Sequence, residues 1–285
     1  MTAGPGGASA RFPLPMWSLD ETVDSSVGPL AAGHAGDGPD LVLAHGWPWS
    51  SYSWHRVIPA LATRFRVHWY DMPGFGRSTL TPSQPPSLGL QGRVCAEMLE
   101  HWGLSAPLVI AHDFGGATTL RAHLLHGADY AGLVLMNVVA MRPWGSEFFD
   151  HVARHPDAFS ALPPHIHAAV VHAYIGGALA HPLTDEDRVG LAAPWLSGDG
   201  PQAFWRQFAL ADEAFTAEIE PLYSRIRCPV TVLWGEDDPW IPLERGQALA
   251  RAAGTTLHPL PGLGHLPQLE DPAAVTAALQ PALAA

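Results

Sequence analysis

Cysteine is scarce in this chain: the only two, Cys95 and Cys228, lie far apart, without metal-ligand spacing or any disulfide framework. Both are expected to be buried thiols of a cytoplasmic protein. Basic residues are scarce too, 15 Lys plus Arg against 27 Asp plus Glu, for a net charge of −12. That balance argues against a nucleic-acid or membrane partner and leaves small neutral molecules. Long apolar runs are missing. No segment approaches the roughly 18 apolar residues of a membrane span, and the opening MTAGPGGASARFPLP has no apolar core of secretory length. The first dozen residues read as a frayed tail.

What the chain does have is enough apolar content for a sizeable core. Its 285 residues are 47% hydrophobic, which suits one large domain or a domain carrying an insertion. Short β-rich apolar runs at 41–46, 66–71, 107–113, 131–137, 229–235 and 255–260 alternate with helical stretches. Continuous apolar strands alternating with helices predict an α/β fold, a mostly parallel central sheet flanked by helices. The alternation stops between about Val139 and Ala217. There the chain turns rich in Pro, His and aromatics, holding six of the sixteen histidines and Trp144, Phe148, Phe149, Phe159, Tyr174, Trp195, Phe204, Trp205 and Phe208. Its spacing is helical, and so apolar a segment must bury a face against something. The expected division is a core of residues 1–138 and 218–285 with a helical lid at 139–217.

Ligands of open parallel sheets bind outside the carboxyl ends of the strands. Those ends carry His45-Gly46-Trp47-Pro48, Asp71, His112-Asp113-Phe114, Asn137, Glu236-Asp237-Asp238 and Gly264-His265. In VIAHDFGG (109–116) an aspartate stands where an apolar strand breaks into a helix. Asp in such a turn suits a helix N-cap. The small neighbours Ala111, Gly115 and Gly116 equally suit a reactive group held at the tip of a sharp, sparsely populated turn.

The segment AHDFGG resembles the nucleophile elbow of the α/β-hydrolase superfamily, with Asp113 in the nucleophile's place. HGWPWSSYSW (45–54) resembles that family's oxyanion-hole loop, and DMPGFGRS (71–78) the loop after the next strand. GEDDPWIP (235–242) resembles the acid-bearing turn and GLGHLPQLEDP (262–272) the histidine loop. These matches fall in family order across nearly the whole chain. The resemblance implies the α/β-hydrolase fold with a helical lid inserted after the sixth strand, and a triad of Asp113, His265 and Asp238. Family spacing from Gly235 selects Asp238 over its neighbour Asp237. Asn137 occupies a second family position for the acid, but an amide cannot replace a carboxylate beside an imidazolium. The backbone N–H groups of Trp47 and Phe114 are the implied oxyanion hole, while Asp71 and His112 are expected to support the elbow structurally.

An aspartate side chain, with a reference pKa of about 3.9, needs no base to become a nucleophile. Attack on an ester would give a reactive anhydride. Attack on a saturated carbon gives a stable alkyl ester, which water activated by a histidine can cleave. Two branches of the family use an aspartate elbow in this way, epoxide hydrolases and dehalogenases. Haloalkane dehalogenases place Trp after the nucleophile and Asn in the HGNP loop, where this chain has Phe114 and Trp47. Fluoroacetate dehalogenases place Arg after the nucleophile and three residues later, where this chain has Phe114 and Ala117.

Related epoxide hydrolases supply lid tyrosines, or a histidine, to the opening oxygen. The lid candidates are Tyr174, His165, His167 and His172, with Trp205 in or near the place of a second tyrosine. The leading expectation is therefore an epoxide hydrolase needing neither metal nor cofactor, acting on a small apolar or aromatic substrate as a monomer or homodimer. A dehalogenase is the alternative. A ligand-binding sensor would have no use for His265 and Asp238 together, and an esterase would require a serine in the elbow.

Overall fold

Burial on both faces explains why the apolar runs become strands. The computed structural model describes residues 17–80 and 84–284, so the frayed-tail reading lies outside the described residues. The six runs form β3 (Asp40–Ala44), β4 (Arg66–Tyr70), β5 (Leu108–Asp113), β6 (Gly132–Val138), β7 (Val230–Gly235) and β8 (Leu257–Leu260). Two further strands, β1 (Glu21–Ser25) and β2 (Gly28–Ala35), were not anticipated. β2 reads GPLAAGHA, small residues without large apolar alternation, and it takes its place by antiparallel pairing with β4. The sheet order is β1-β2-β4-β3-β5-β6-β7-β8, parallel from β4 to β8.

Alternate side chains of each central strand serve opposite faces. Val42, Val109, Leu133 and Val232 pack with Val94 and Met98 of α2 (Leu88–His101), Leu120 of α3 (Phe114–Leu125) and Leu249 of α10 (Leu243–Ala252). Leu41, Ile110, Val134 and Leu233 pack with Ile58 and Leu61 of α1 (Ile58–Leu61) and Val275 and Leu279 of α12 (Pro272–Leu279). This is the expected α/β architecture. Among the described residues no helix is long and apolar enough to cross a membrane.

Between β6 and β7 the described chain is helical, running through α4 (Glu147–Arg154), α5 (Pro156–Ser160), α6 (Pro164–Gly176), α7 (Asp185–Ala192), α8 (Gly200–Leu210) and α9 (Ala214–Ala217). The Ser146 hydroxyl caps α4 by accepting the Phe149 N–H, and Glu147 and Asp150 suit the positive end of its dipole. Phe149 and Val152, three residues apart on one face, are buried in the same apolar cluster as Trp47 and Phe114 of the core.

One ionic contact ties these helices to the sheet domain. Asp187, on the first turn of α7 and 1% exposed, is held by the Arg56 guanidinium and lies 3.1 Å from His55 Nε2. Arg56 also donates to the Leu269 carbonyl at 3.2 Å. Removing the carboxylate leaves Arg56 facing a buried gap. Asp187→Ala should lower unfolding stability in urea by about 2–3 kcal/mol, the low end for a buried pair because Arg56 stays partly exposed. A loss under about 0.5 kcal/mol, the usual range for surface changes, would show that the contact does not anchor the inserted helices.

Candidate active site

β5 ends on Asp113, whose φ of 51° lies in the left-handed region that residues with a Cβ rarely adopt. The Asp113 side chain makes no capping hydrogen bond to α3, which disposes of the N-cap reading. The turn instead presses its carboxylate against the loop after β3. A Cβ on Gly46 would lie 2.2 Å from Asp113 Oδ1, and one on Gly116 would lie 2.3 Å from Val138 Cβ, so both positions need glycine. Asp113 Oδ1 accepts the Trp47 N–H at 2.6 Å, and the Phe114 backbone nitrogen also borders Gly46. The two implied oxyanion donors thus flank the carboxylate.

The other carboxylate oxygen, Asp113 Oδ2, lies 3.3 Å from His265 Nε2, an ionic contact short of an aligned hydrogen bond. Behind the imidazole, Nδ1 meets Asp238 Oδ2 at 2.8 Å. The neighbouring Asp237 is exposed. Asp238 Oδ1 accepts the N–H groups of Trp240 and Ile241 at 2.8 and 2.9 Å. Asn137 donates to Asp238 Oδ2 at 2.7 Å and accepts the Gly235 N–H at 3.0 Å. The second acid position therefore holds the group that orients the acid. Asn137 too has positive φ, 46°, where the register between β5 and β6 shifts.

The charges follow from this packing. Burial opposes a charged His265, but the carboxylates of Asp238 and Asp113 outweigh it and raise the imidazole to about 10. For Asp238, burial works upward, yet His265 and the N–H donors hold the carboxyl below its usual value. Burial, and then the charge of His265, drive His112 down to about 3, so it stays neutral and donates from Nε2 to the His265 carbonyl at 2.7 Å. The histidine loop is also joined to the inserted helices. His265 N–H donates to the Ala178 carbonyl at 3.0 Å, and the Glu270 carboxylate accepts from Gly264 N–H at 3.0 Å and His181 N–H at 3.2 Å. Asp71 accepts the Ser51 and Arg77 N–H groups, both at 2.8 Å, and so braces the loops beside the elbow.

A cavity of about 50 Å³ opens on Asp113, walled by Trp47, Phe114, Trp144, Phe149, Tyr174 and Trp240. A larger groove of about 630 Å³ lies elsewhere, lined by Asp71 and Arg206 among others but by none of Asp113, His265 and Asp238. Of the expected lid groups, only Tyr174 reaches the cavity. His165 and His172 are exposed, His167 donates to the Trp195 carbonyl at 2.8 Å, and Trp205 is 1% exposed among Phe159, Phe204 and Phe208. These four positions are corrections to the expectation. His167 shares a face of α6 with Tyr174 but lies seven residues, about 10 Å, away along the axis, and His165 points about 200° round from His167. Trp144, Phe149 and Trp240 were not anticipated as cavity walls; only Trp240, two residues after Asp238, carried a positional signal.

Fold and site together define an enzyme of the hydrolase class, with its chemical groups on successive strand ends beneath a helical layer. The chain belongs to the alpha/beta hydrolase family, whose profile matches residues 41–279. An alpha/beta hydrolase fold protein from Burkholderia ambifaria superposes with a TM-score of 0.89 at 45% identity, covering 94% of this chain and 99% of that one. A soluble epoxide hydrolase of a Corynebacterium species is 44% identical over 87 residues, 29% of each chain, so this chain spans under a third of that relative in the match. A pimeloyl (acyl-carrier protein) methyl ester esterase of Vibrio vulnificus is 28% identical over 76% of this chain and 83% of its own.

Because the folded value for His265 lies above the ordinary one, its charge stabilises the fold fully below about pH 6.5 and loses that contribution as pH rises through about 10. In ¹⁵N NMR of the free enzyme, the His265 ring should stay doubly protonated at pH 7 and titrate near 10. A transition near the ordinary histidine value would contradict the two-carboxylate arrangement.

Proposed function

We propose that the protein is an epoxide hydrolase in which Asp113 is the nucleophile. The observation that carries this reading is a carboxylate, rather than a hydroxyl, at the elbow, with Oδ1 held by Trp47 N–H and Oδ2 beside His265. Oδ2 attacks a ring carbon, the carbon–oxygen bond breaks, and the freed oxygen takes the phenolic proton of Tyr174. Burial keeps Tyr174 a phenol, its proton affinity well above the usual. The product is a neutral ester whose carbonyl oxygen already sits on the Trp47 amide.

Esterification removes one of the two charges that hold the proton on His265. The imidazolium then returns its proton to the tyrosinate and becomes free to act as a base. Water gives a proton to His265 and its oxygen to the ester carbonyl carbon, with the tetrahedral oxyanion held by the Trp47 and Phe114 amides. Collapse releases the diol and restores the Asp113 carboxylate and the charged His265, so protons balance over the cycle.

The cavity supports a small, largely apolar substrate. One water takes up roughly 10–15 Å³ of such a cavity, so a mostly apolar space of about 50 Å³ suits a short-chain or small-ring epoxide. The same ester chemistry would serve a carbon–halogen bond. A halide leaves without a proton, however, and Tyr174 is an acid that only an alkoxide requires.

His265→Gln incubated with 1,2-epoxybutane should gain the mass of one epoxide on the Asp113 peptide, while the unmodified enzyme yields diol. No adduct with any small epoxide or organohalide would sink the covalent mechanism. Halide release without epoxide turnover would move the assignment to dehalogenase.

A further inference from the structure

We propose that Trp47 is a positioning residue for the acid: its indole N–H donates to the phenolic oxygen of Tyr174 as that oxygen hands its proton to the substrate. The inference rests on the epoxide-opening reading and adds a side-chain role to a residue whose backbone N–H already serves Asp113.

Trp47 is 2% exposed, and its indole nitrogen is buried with no hydrogen-bond partner. The ring is wedged against Trp195, Phe204 and Phe208, with centroids 5.2, 5.0 and 5.1 Å away, so its N–H cannot swing elsewhere. It borders the same cavity as Tyr174 and favours charge on the phenolic oxygen there, without completing a hydrogen bond. Tyr174 is itself wedged between Phe208 at 5.4 Å and Trp240 at 4.7 Å. A buried donor aimed at an oxygen that becomes anionic during the reaction forms its strong bond only then, which is how a donor accelerates a step rather than merely binding.

Among the described residues no Lys, Arg or His lines the cavity, and the Trp144 indole is already committed to Thr216 Oγ1 at 2.9 Å. Burial and the Asp113 charge both make a phenolate at Tyr174 unfavourable, and the Trp47 N–H acts the other way. In the step itself, the Asp113 oxygen–carbon bond forms as the ring carbon–oxygen bond breaks. The electron pair passes to the ring oxygen, the proton moves to it from Tyr174, and the charge left on the phenolic oxygen is met by the indole N–H.

The test is ester formation on Asp113, followed by rapid quench and mass spectrometry with 1,2-epoxybutane, in a His265→Gln background where the ester accumulates. Trp47→Phe, which keeps an aromatic ring and loses the N–H, should slow ester formation on the order of 10- to 100-fold, as expected for a hydrogen bond to a charged group. In a Tyr174→Phe background the same change should cost almost nothing further, because the partner oxygen is gone. The solvent deuterium isotope effect on ester formation should rise in Trp47→Phe, since proton transfer then limits the step. An unchanged rate in Trp47→Phe, or an equal loss with and without the Tyr174 hydroxyl, would overturn the inference while leaving the epoxide reading in place. If no ester forms with Trp47 intact, the epoxide reading itself fails and takes this inference with it.

Discussion

Strand ends from β3, β5 and β6 converge on Asp113 so closely that there is no room for a Cβ at Gly46 or Gly116. A left-handed backbone at a non-glycine residue persists only where its surroundings leave no alternative. Here the surroundings are the Trp47 amide on the side chain and the Val139 N–H, 3.0 Å from the Asp113 carbonyl. The position of the carboxylate is thereby a property of the sheet rather than of a loop. His265, Asp238 and the cavity are all placed relative to it.

The second organising fact is electrostatic. Two buried carboxylates share one imidazole, and no Lys or Arg lines the cavity among the described residues. Poorly screened by solvent, each charge has a large effect on its neighbours. Asp238 and then Asp113 therefore hold the proton on His265, and under the proposed cycle esterifying Asp113 would remove part of that hold. Aromatic side chains make up most of the cavity wall around Asp113.

Much of this was legible in the sequence. The six apolar runs became strands within a residue or two, because burial on both faces demands continuous apolar sequence and the chain supplies it. The small residues around Asp113 and the order of the turn motifs pointed to Asp113, His265 and Asp238, and the structure brings these three together. The β1–β2 hairpin was not legible, since GPLAAGHA has no side-chain alternation and depends on backbone pairing with β4. Nor were the cavity walls: whether Tyr174, His167 or Trp205 meets the substrate depends on how far along α6 or α8 each one lies when those helices dock. Local spacing is silent on docking. Asn137 was recognised as standing at an acid position, but its bond to Asp238 depends on the neighbouring strand β7.

The histidine loop takes its backbone support from the inserted helices as much as from the sheet. His265 N–H rests on Ala178, and Glu270 bridges Gly264 to His181. The segment that shapes the cavity at Asp113 therefore also carries the backbone of His265, so it is not an interchangeable cassette. A chimera carrying a foreign helical insert would have to reproduce the 178–181 crossing as well as a new cavity, or it would change specificity and lose the alignment of its histidine in one stroke.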